Sequence, residues 1–254
     1  MTLAERRKRE KDQRCKSVID AASRLFCSKG YEKVSMDEIA SGAELSKATL
    51  YTYFKDKDSI FFAVVNRGTK ILDSMIKKEE ESLLNSSIKV GAVKNACKRF
   101  LIEYPDYARV YFYFRSGIFE LSSEVDNADA KEIIEFNKKC CEKMILELKT
   151  CMENRIYRSD LNPVVVVALY ISIFDSVSSI KPDLKNMLKD NGITVQQFFL
   201  EIMDFLDRLI MNSKETNVST EEMNKYTDEI NENARHAFIP ETNVAFYVWD
   251  KSNF

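Results

Sequence analysis

The chain has 254 residues, 45% apolar and 31% charged, with a formal net charge of −2. That balance belongs to a globular protein with a sizeable core and excludes a disordered, collagen-like or disulfide-stapled chain. Six Gly and four Pro are few, which favours long helices over a turn-rich β fold.

The net charge hides an asymmetry. Residues 1–57 carry 13 Lys and Arg against 9 Asp and Glu, so the head is basic by four and the remainder acidic by six. A basic head on an acidic body suits contact with phosphate at one end only. No stretch approaches the ~20 uncharged apolar residues that span a bilayer. Residues 164–180 come nearest, and Asp175 interrupts them. The charged N-terminus lacks the apolar segment of a secretory signal, which points to a cytoplasmic protein. Cysteines at 15, 27, 97, 140, 141 and 151 form no C-x-x-C pair. They read as reduced thiols serving as small hydrophobes, with a redox sensor as the alternative.

Taken in order, residues 2–16 are a charged lead-in that extends the first helix, either as a solvated face or as a basic segment on backbone phosphate. Val18, Ala22, Leu25 and Phe26 set the core stripe of that helix, which stops at Gly30, expected in the left-handed region. Tyr31 and Val34 pack the connection. Ser35 and Glu38 then form an S-x-x-E capping box, and Ile39, Ala40 and Ala43 follow as an apolar stripe. Ser46 caps the next helix, whose apolar positions are Leu50 and Phe54. Lys47, Ala48, Thr49, Tyr51, Thr52 and Tyr53 lie off that stripe. A helix this short with one stripe for the core has its other face for something else, and two such helices about a tight turn suit a DNA groove.

The run AASRLFCSKGYEKVSMDEIASGAELSKATLYTYFKDKDSIFFAVV, residues 21–65, resembles the N-terminal DNA-binding domain of TetR-family transcriptional repressors nearly position for position. Two departures stand out: Glu44 where the family usually has Gly, and Ala48 where it often has Gly or Pro. Glycine would supply φ > 0 without a Cβ clash, so Glu44 implies mild strain or a different turn. The resemblance implies that Ser35, Met36, Thr49, Tyr51 and Lys57 lie against phosphate, as hydroxyls, helix N-terminal amides and an ammonium can. Lys47, Ala48, Thr52 and Tyr53 are the candidates for base edges, where Lys meets guanine acceptors and small groups meet a thymine methyl. Ser46 completes the DNA-facing set. Packing within the head is the competing role for Tyr51, and plain solvation for the two lysines.

A fourth helix begins after Phe54 with Asp56 as cap and Ile60, Phe61, Val64 and Val65 inward, continuing past Ile76 toward Leu84. The body then reads as helices over 88–104, 107–121 and 129–157. Asn162 and Pro163 start another, apolar almost all round and expected to be buried on several sides. Thr194 and Gln197 form a capping box before the last body helix. These two late helices carry more apolar surface than one body needs, which suggests a subunit interface. The resemblance implies a four-helix homodimer bundle there. The aromatic residues Phe100, Tyr104, Tyr107, Tyr111, Phe114 and Phe119, with Tyr170 and Phe174, are the candidate lining of a ligand pocket, or else plain core. Beyond residue 212 the resemblance ends. Ser219 and Glu222 open a polar helix to about residue 236, and an apolar run with Trp249 follows.

The expectation is an all-α fold: a three-helix helix-turn-helix head at 1–57, a helical ligand-binding and dimerisation body at 58–212, and an extension at 213–254. The implied function is a homodimeric repressor on double-stranded palindromic operator DNA, released by an apolar or aromatic small-molecule inducer. It needs no cofactor, metal or membrane. The rival is a helical dimeric interaction protein that acts through a protein partner. Enzymes are disfavoured: His occurs once, at His236, without a metal-ligand spacing, a phosphate loop or a nucleophile elbow.

Overall fold

The structure, a computed structural model, describes residues 2–83, 91–117, 119, 126–176 and 180–212. It is all-α, with ten helices among those residues, none long and apolar enough to cross a membrane. The expected features at Leu84, Ile88, Leu121, Ser219, Glu222, His236 and Trp249, and the whole 213–254 extension, lie outside the described residues. The fold has two compact units. The first comprises Met1–Asp73 and Tyr104–Asn137, the second Ser74–Glu103 and the described residues from Lys138 onward. The expected boundary at residue 57 thus falls inside the first unit.

In the first unit, α1 (Leu3–Lys29) is one helix that absorbs the charged lead-in. Thr2 caps it, accepting from the Glu5 amide at 3.2 Å while its own amide donates to the Glu5 carboxylate at 2.7 Å. α1 ends at Gly30 with φ 82° and ψ 158°, so that residue is extended on the glycine side of the map rather than in the expected left-handed helical region. α2 (Met36–Gly42) and α3 (Lys47–Tyr51) follow, and α1 packs on α2 and on α6 (Pro105–Arg115). α4 (Lys57–Leu83) starts where Asp56 accepts from the Ser59 amide at 2.8 Å, as the sequence predicts. Its Ile60, Phe61, Val64 and Val65 are buried with Val18, Ala22 and Phe26 of α1. Rings join them: Phe26 to Phe61 at 5.5 Å, Tyr31 to Phe61 at 4.9 Å, and Phe119 stacked on Phe61 at 5.1 Å. Each fully buried large apolar side chain stabilises the fold by roughly 1.5–3 kcal/mol, so this cluster holds the head. α6 starts at Pro105 and stops at Arg115, where Gly117 adopts φ 80°. The expected helix over 107–121 therefore ran too far, past a Ser-Gly turn signal.

The second unit contains α5 (Ala92–Glu103), α8 (Pro163–Ser176), α9 (Pro182–Asp190) and α10 (Val195–Ile210), with parts of α4 and of α7 (Ala128–Glu153). α7 ends four residues before the expected Tyr157, because Arg155 takes a left-handed φ of 58° and the Ile156 amide turns back to the Cys151 carbonyl at 2.9 Å. α9 is a helix the sequence reading did not anticipate, although Pro182 at its first position is a start signal. Asn162 caps α8, accepting from the Val164 amide at 3.0 Å, and the Thr194–Gln197 box caps α10. Two ion pairs join α5 to α10: Lys98 to Asp204 at 2.8 Å and Lys94 to Asp207 at 2.6 Å. The Tyr170 hydroxyl donates to the same Asp207.

The expected burial of α8 on several sides is not met within one chain. Val164, Val165 and Leu169 are exposed, as are Phe205 and Leu209 of α10. A short antiparallel bridge between Tyr157 and Met211 closes the end of α10, with the Arg158 amide donating to Ile210 at 2.9 Å and the Asn212 amide to Ile156 at 3.1 Å. None of the six cysteines, all among the described residues, is in a disulfide. Burial, then the nearby Asp106, pushes the Cys27 thiol up to about 12, and burial does the same to Cys151. Both act as packed thiols, not thiolates.

Candidate nucleic-acid interface

Ser35 opens α2 in the predicted reciprocal box. Its hydroxyl accepts from the Glu38 amide at 3.3 Å, and its amide donates to the Glu38 carboxylate at 2.8 Å. The same hydroxyl also donates to Glu38 at 2.9 Å, so its proton is committed within the box. Lys29 adds a third contact to that carboxylate at 2.6 Å. Lys29, then the Ser35 amide, hold the Glu38 carboxyl down to about 2. Met36, at the first position of α2, is half-buried.

The turn between α2 and α3 is fixed by two bonds. The Leu45 amide reaches the Ala40 carbonyl at 2.9 Å, and the Glu44 amide the Ser41 carbonyl at 3.1 Å. This is the Schellman pattern, which needs its penultimate residue left-handed. Glu44 occupies that place with φ 57°. The departure from glycine is thus absorbed by strain, not by another turn. A non-glycine residue there costs roughly 1 kcal/mol. The glycine that shares the motif elsewhere is Gly192, after α9, at φ 72°.

Ser46 caps α3, accepting from the Thr49 amide at 3.1 Å. α3 runs only five residues, and Leu50 is its one buried side chain. Phe54 lies beyond the helix, its amide still bonded to the Leu50 carbonyl at 3.1 Å, and is half-buried. Outward stand Ser46, Lys47, Ala48, Tyr51 and Thr52, with Thr49 and Tyr53 partly covered. Tyr51 is 48% exposed. For a tyrosine on a five-residue helix, that exposure argues against the packing role.

The lysines differ. Lys57 is committed inward, its Nζ donating to the Tyr31 carbonyl at 3.1 Å and lying 4.2 Å over the Tyr31 ring. Tyr31 in turn donates to Asp58, and Tyr113 of α6 donates to Glu32 at 2.7 Å. Lys57 therefore ties the α1–α2 connection to the first turn of α4. Lys47 instead reaches back across the turn to Asp37 at 2.9 Å. Neither arrangement was read from the sequence. Asp37 and Lys47 lie ten apart, beyond any helical pairing, and only their opposite charges on the first turns of adjoining helices hinted at the contact.

The aromatic candidates divide between the two units. In the first, Tyr104 is exposed, Tyr107 accepts from Arg67 at 2.6 Å, Tyr111 donates to Asn137 at 2.6 Å, and Phe114 sits edge-on to Phe62 at 6.2 Å. Phe119 belongs to the ring cluster of the head. In the second, Phe100 is fully buried, Tyr170 is bonded to Asp207, and Phe174 meets Phe199 at 5.9 Å.

Residues 18–64 match the family model described as bacterial regulatory proteins, tetR family. The chain is similar to the uncharacterized HTH-type transcriptional regulator YhgD of Bacillus subtilis (strain 168), 26% identical over 170 residues, 64% of this chain and 83% of that protein. It is also similar to IcaR, the biofilm operon icaADBC HTH-type negative transcriptional regulator of Staphylococcus aureus (strain Newman), 27% identical over 138 residues, 51% of this chain and 73% of that one. The fold resembles the crystal structure of AibR in complex with isovaleryl coenzyme A and operator DNA, with a TM-score of 0.54 at 19% identity over 78% of this chain and 98% of that one.

Proposed function

Because the chain is a helix-turn-helix transcriptional regulator of the TetR family, and so not an enzyme, we propose that it is a homodimeric repressor of a palindromic operator, released by a small-molecule ligand. The observation that carries this reading is the division of α3. One side chain, Leu50, goes into the core, while Ser46, Lys47, Ala48, Tyr51 and Thr52 are left outside on a turn held by backbone bonds. In this reading Lys47, Ala48, Thr52 and Tyr53 meet base edges, and Ser35, Met36, Ser46, Thr49 and Tyr51 face phosphate. Lys57, bonded to the Tyr31 carbonyl, acts chiefly by setting the head.

Residues 1–57 serve as the reading head and 58–212 as the body. One recognition helix gives too little specificity alone, and two in a two-fold dimer reach grooves about 34–36 Å apart. The exposed Val164, Val165, Leu169, Phe205 and Leu209 support a second copy seated on α8 and α10, since isolated exposure of that much apolar surface is unfavourable. Repression is supported by the negative regulator IcaR, and a small-molecule site on an operator-binding fold by AibR, whose structure holds isovaleryl coenzyme A together with operator DNA. The aromatic residues of both units favour an apolar or aromatic ligand. The site of action is the cytoplasm.

Selection of bound duplexes from a random pool by the purified protein tests the reading. Wild type is expected to enrich a palindrome and Tyr51→Ala to lose it. A folded dimer that enriches nothing at moderate salt overturns operator recognition.

A further inference from the structure

α3 carries a single cation, Lys47, at its first position, where the helix dipole disfavours positive charge. Asp37 stands in the first turn of α2, where the dipole favours a carboxylate, and takes the Lys47 ammonium at 2.9 Å. The pair spans a turn whose geometry is fixed by the Leu45–Ala40 and Glu44–Ser41 bonds, so the contact is a property of the two helices and not of a wandering loop. Both side chains are more than half exposed. An exposed pair shifts an equilibrium by no more than about five-fold. That is strong enough to hold a lysine in the unbound protein and weak enough to yield to a better acceptor.

Resting on the DNA-reading role given above, we propose that Asp37 is a specificity-determining residue that withholds the Lys47 charge from phosphates and yields it to a guanine edge. On arbitrary duplex, Lys47 stays with Asp37, and the carboxylate adds repulsion toward the backbone. At the matching base, the N7 and O6 acceptors of guanine offer Lys47 two bonds, and the ammonium changes partner. Asp37 thereby lowers binding to all DNA and lowers it least at the operator. Two neighbouring cations are held differently. Lys29 is held by Glu38 within the α2 cap, and Lys57 by the Tyr31 carbonyl.

The test compares wild type, Asp37→Asn, Lys47→Ala and the double variant as full-length proteins. Affinity is read by fluorescence anisotropy between 50 and 300 mM salt, on mixed-sequence bulk duplex and on the sequence enriched by wild type. Asp37→Asn is expected to bind bulk duplex more tightly, to steepen its log K against log salt slope by about 0.9 per head, and to narrow the operator-to-bulk ratio by up to about five-fold per head. Lys47→Ala leaves the bulk slope unsteepened, and the double variant loses the steepening. Asp37→Ala reproduces Asp37→Asn, and matched thermal melts exclude loss of fold. An unchanged slope, or bulk binding no tighter than wild type, overturns the proposal. So does equal steepening in the double variant, which would make the carboxylate act without Lys47. A changed base at one selected position in Asp37→Asn also overturns it, because Asp37 would then read cytosine itself. If wild type enriches no sequence, operator recognition fails separately, and Asp37 is still judged on the bulk duplex.

Discussion

α3 and α10 each turn one stripe inward and leave another outside, but what they leave outside differs in kind. α3 exposes a lysine, hydroxyls and a tyrosine around the buried Leu50. α10 buries Phe199, Met203, Leu206 and Ile210 and leaves Phe205 62% and Leu209 52% exposed. A polar stripe is stable in water and can wait for a polyanion, whereas a Phe–Leu stripe gains free energy only when covered. The difference teaches which face can stay in water unaided and which gains from being covered.

The comparison breaks first at α10. Phe205→Glu with Leu209→Glu places charge in the expected seam, so sedimentation should show monomers and operator affinity should fall by about 10²–10⁴, the worth of linking two heads. Leu50→Ala attacks α3 from inside and should cost about 2–5 kcal/mol in a denaturant titration, because the side chain is fully buried. Tyr51→Ala attacks it from outside. It should leave stability within about 0.5 kcal/mol while weakening operator binding by about 1.5–3 kcal/mol, the range for a hydrogen bond to a charged group.

Glu44→Gly should raise stability by roughly 1 kcal/mol, read as a higher denaturation midpoint, by relieving the left-handed side chain. The smallest effect concerns Glu38, whose carboxyl is held below its ordinary 4.5 at about 2 by Lys29 and Ser35. A depressed carboxyl contributes stability that is present above its unfolded value and lost as pH falls through the folded one. Glu38→Gln should therefore melt slightly lower than wild type at pH 7, with the two midpoints converging as pH falls from 4.5 toward 2.

Local chemistry was legible wherever one residue fixes one bond. The boxes Ser35–Glu38 and Thr194–Gln197, the caps Ser46, Asp56 and Asn162, and the inward stripe of α4 stand where the spacing predicts them. Ends set by backbone strain were not. Arg155 is left-handed without being glycine or asparagine, so the sequence carries no sign that α7 stops there. Contacts across elements were also silent. Lys57 on Tyr31, and Tyr113 on Glu32, depend on how α1, α4 and α6 meet, and a surface lysine looks the same whichever partner it finds. The exposure of Val164, Val165 and Leu169 on α8 was not legible, because apolar composition all round a helix does not say which of its faces this chain itself covers.

The bridge between Tyr157 and Met211 also governs how the protein can be extended or labelled. With the Arg158 and Asn212 amides both bonded across it, the end of α10 is clasped where a terminal turn would ordinarily fray. Those two amides should exchange slowly with deuterium, unlike the usual last residues of a helix. A fluorophore or fusion joined directly after Asn212 would inherit a defined position and direction at its first atom.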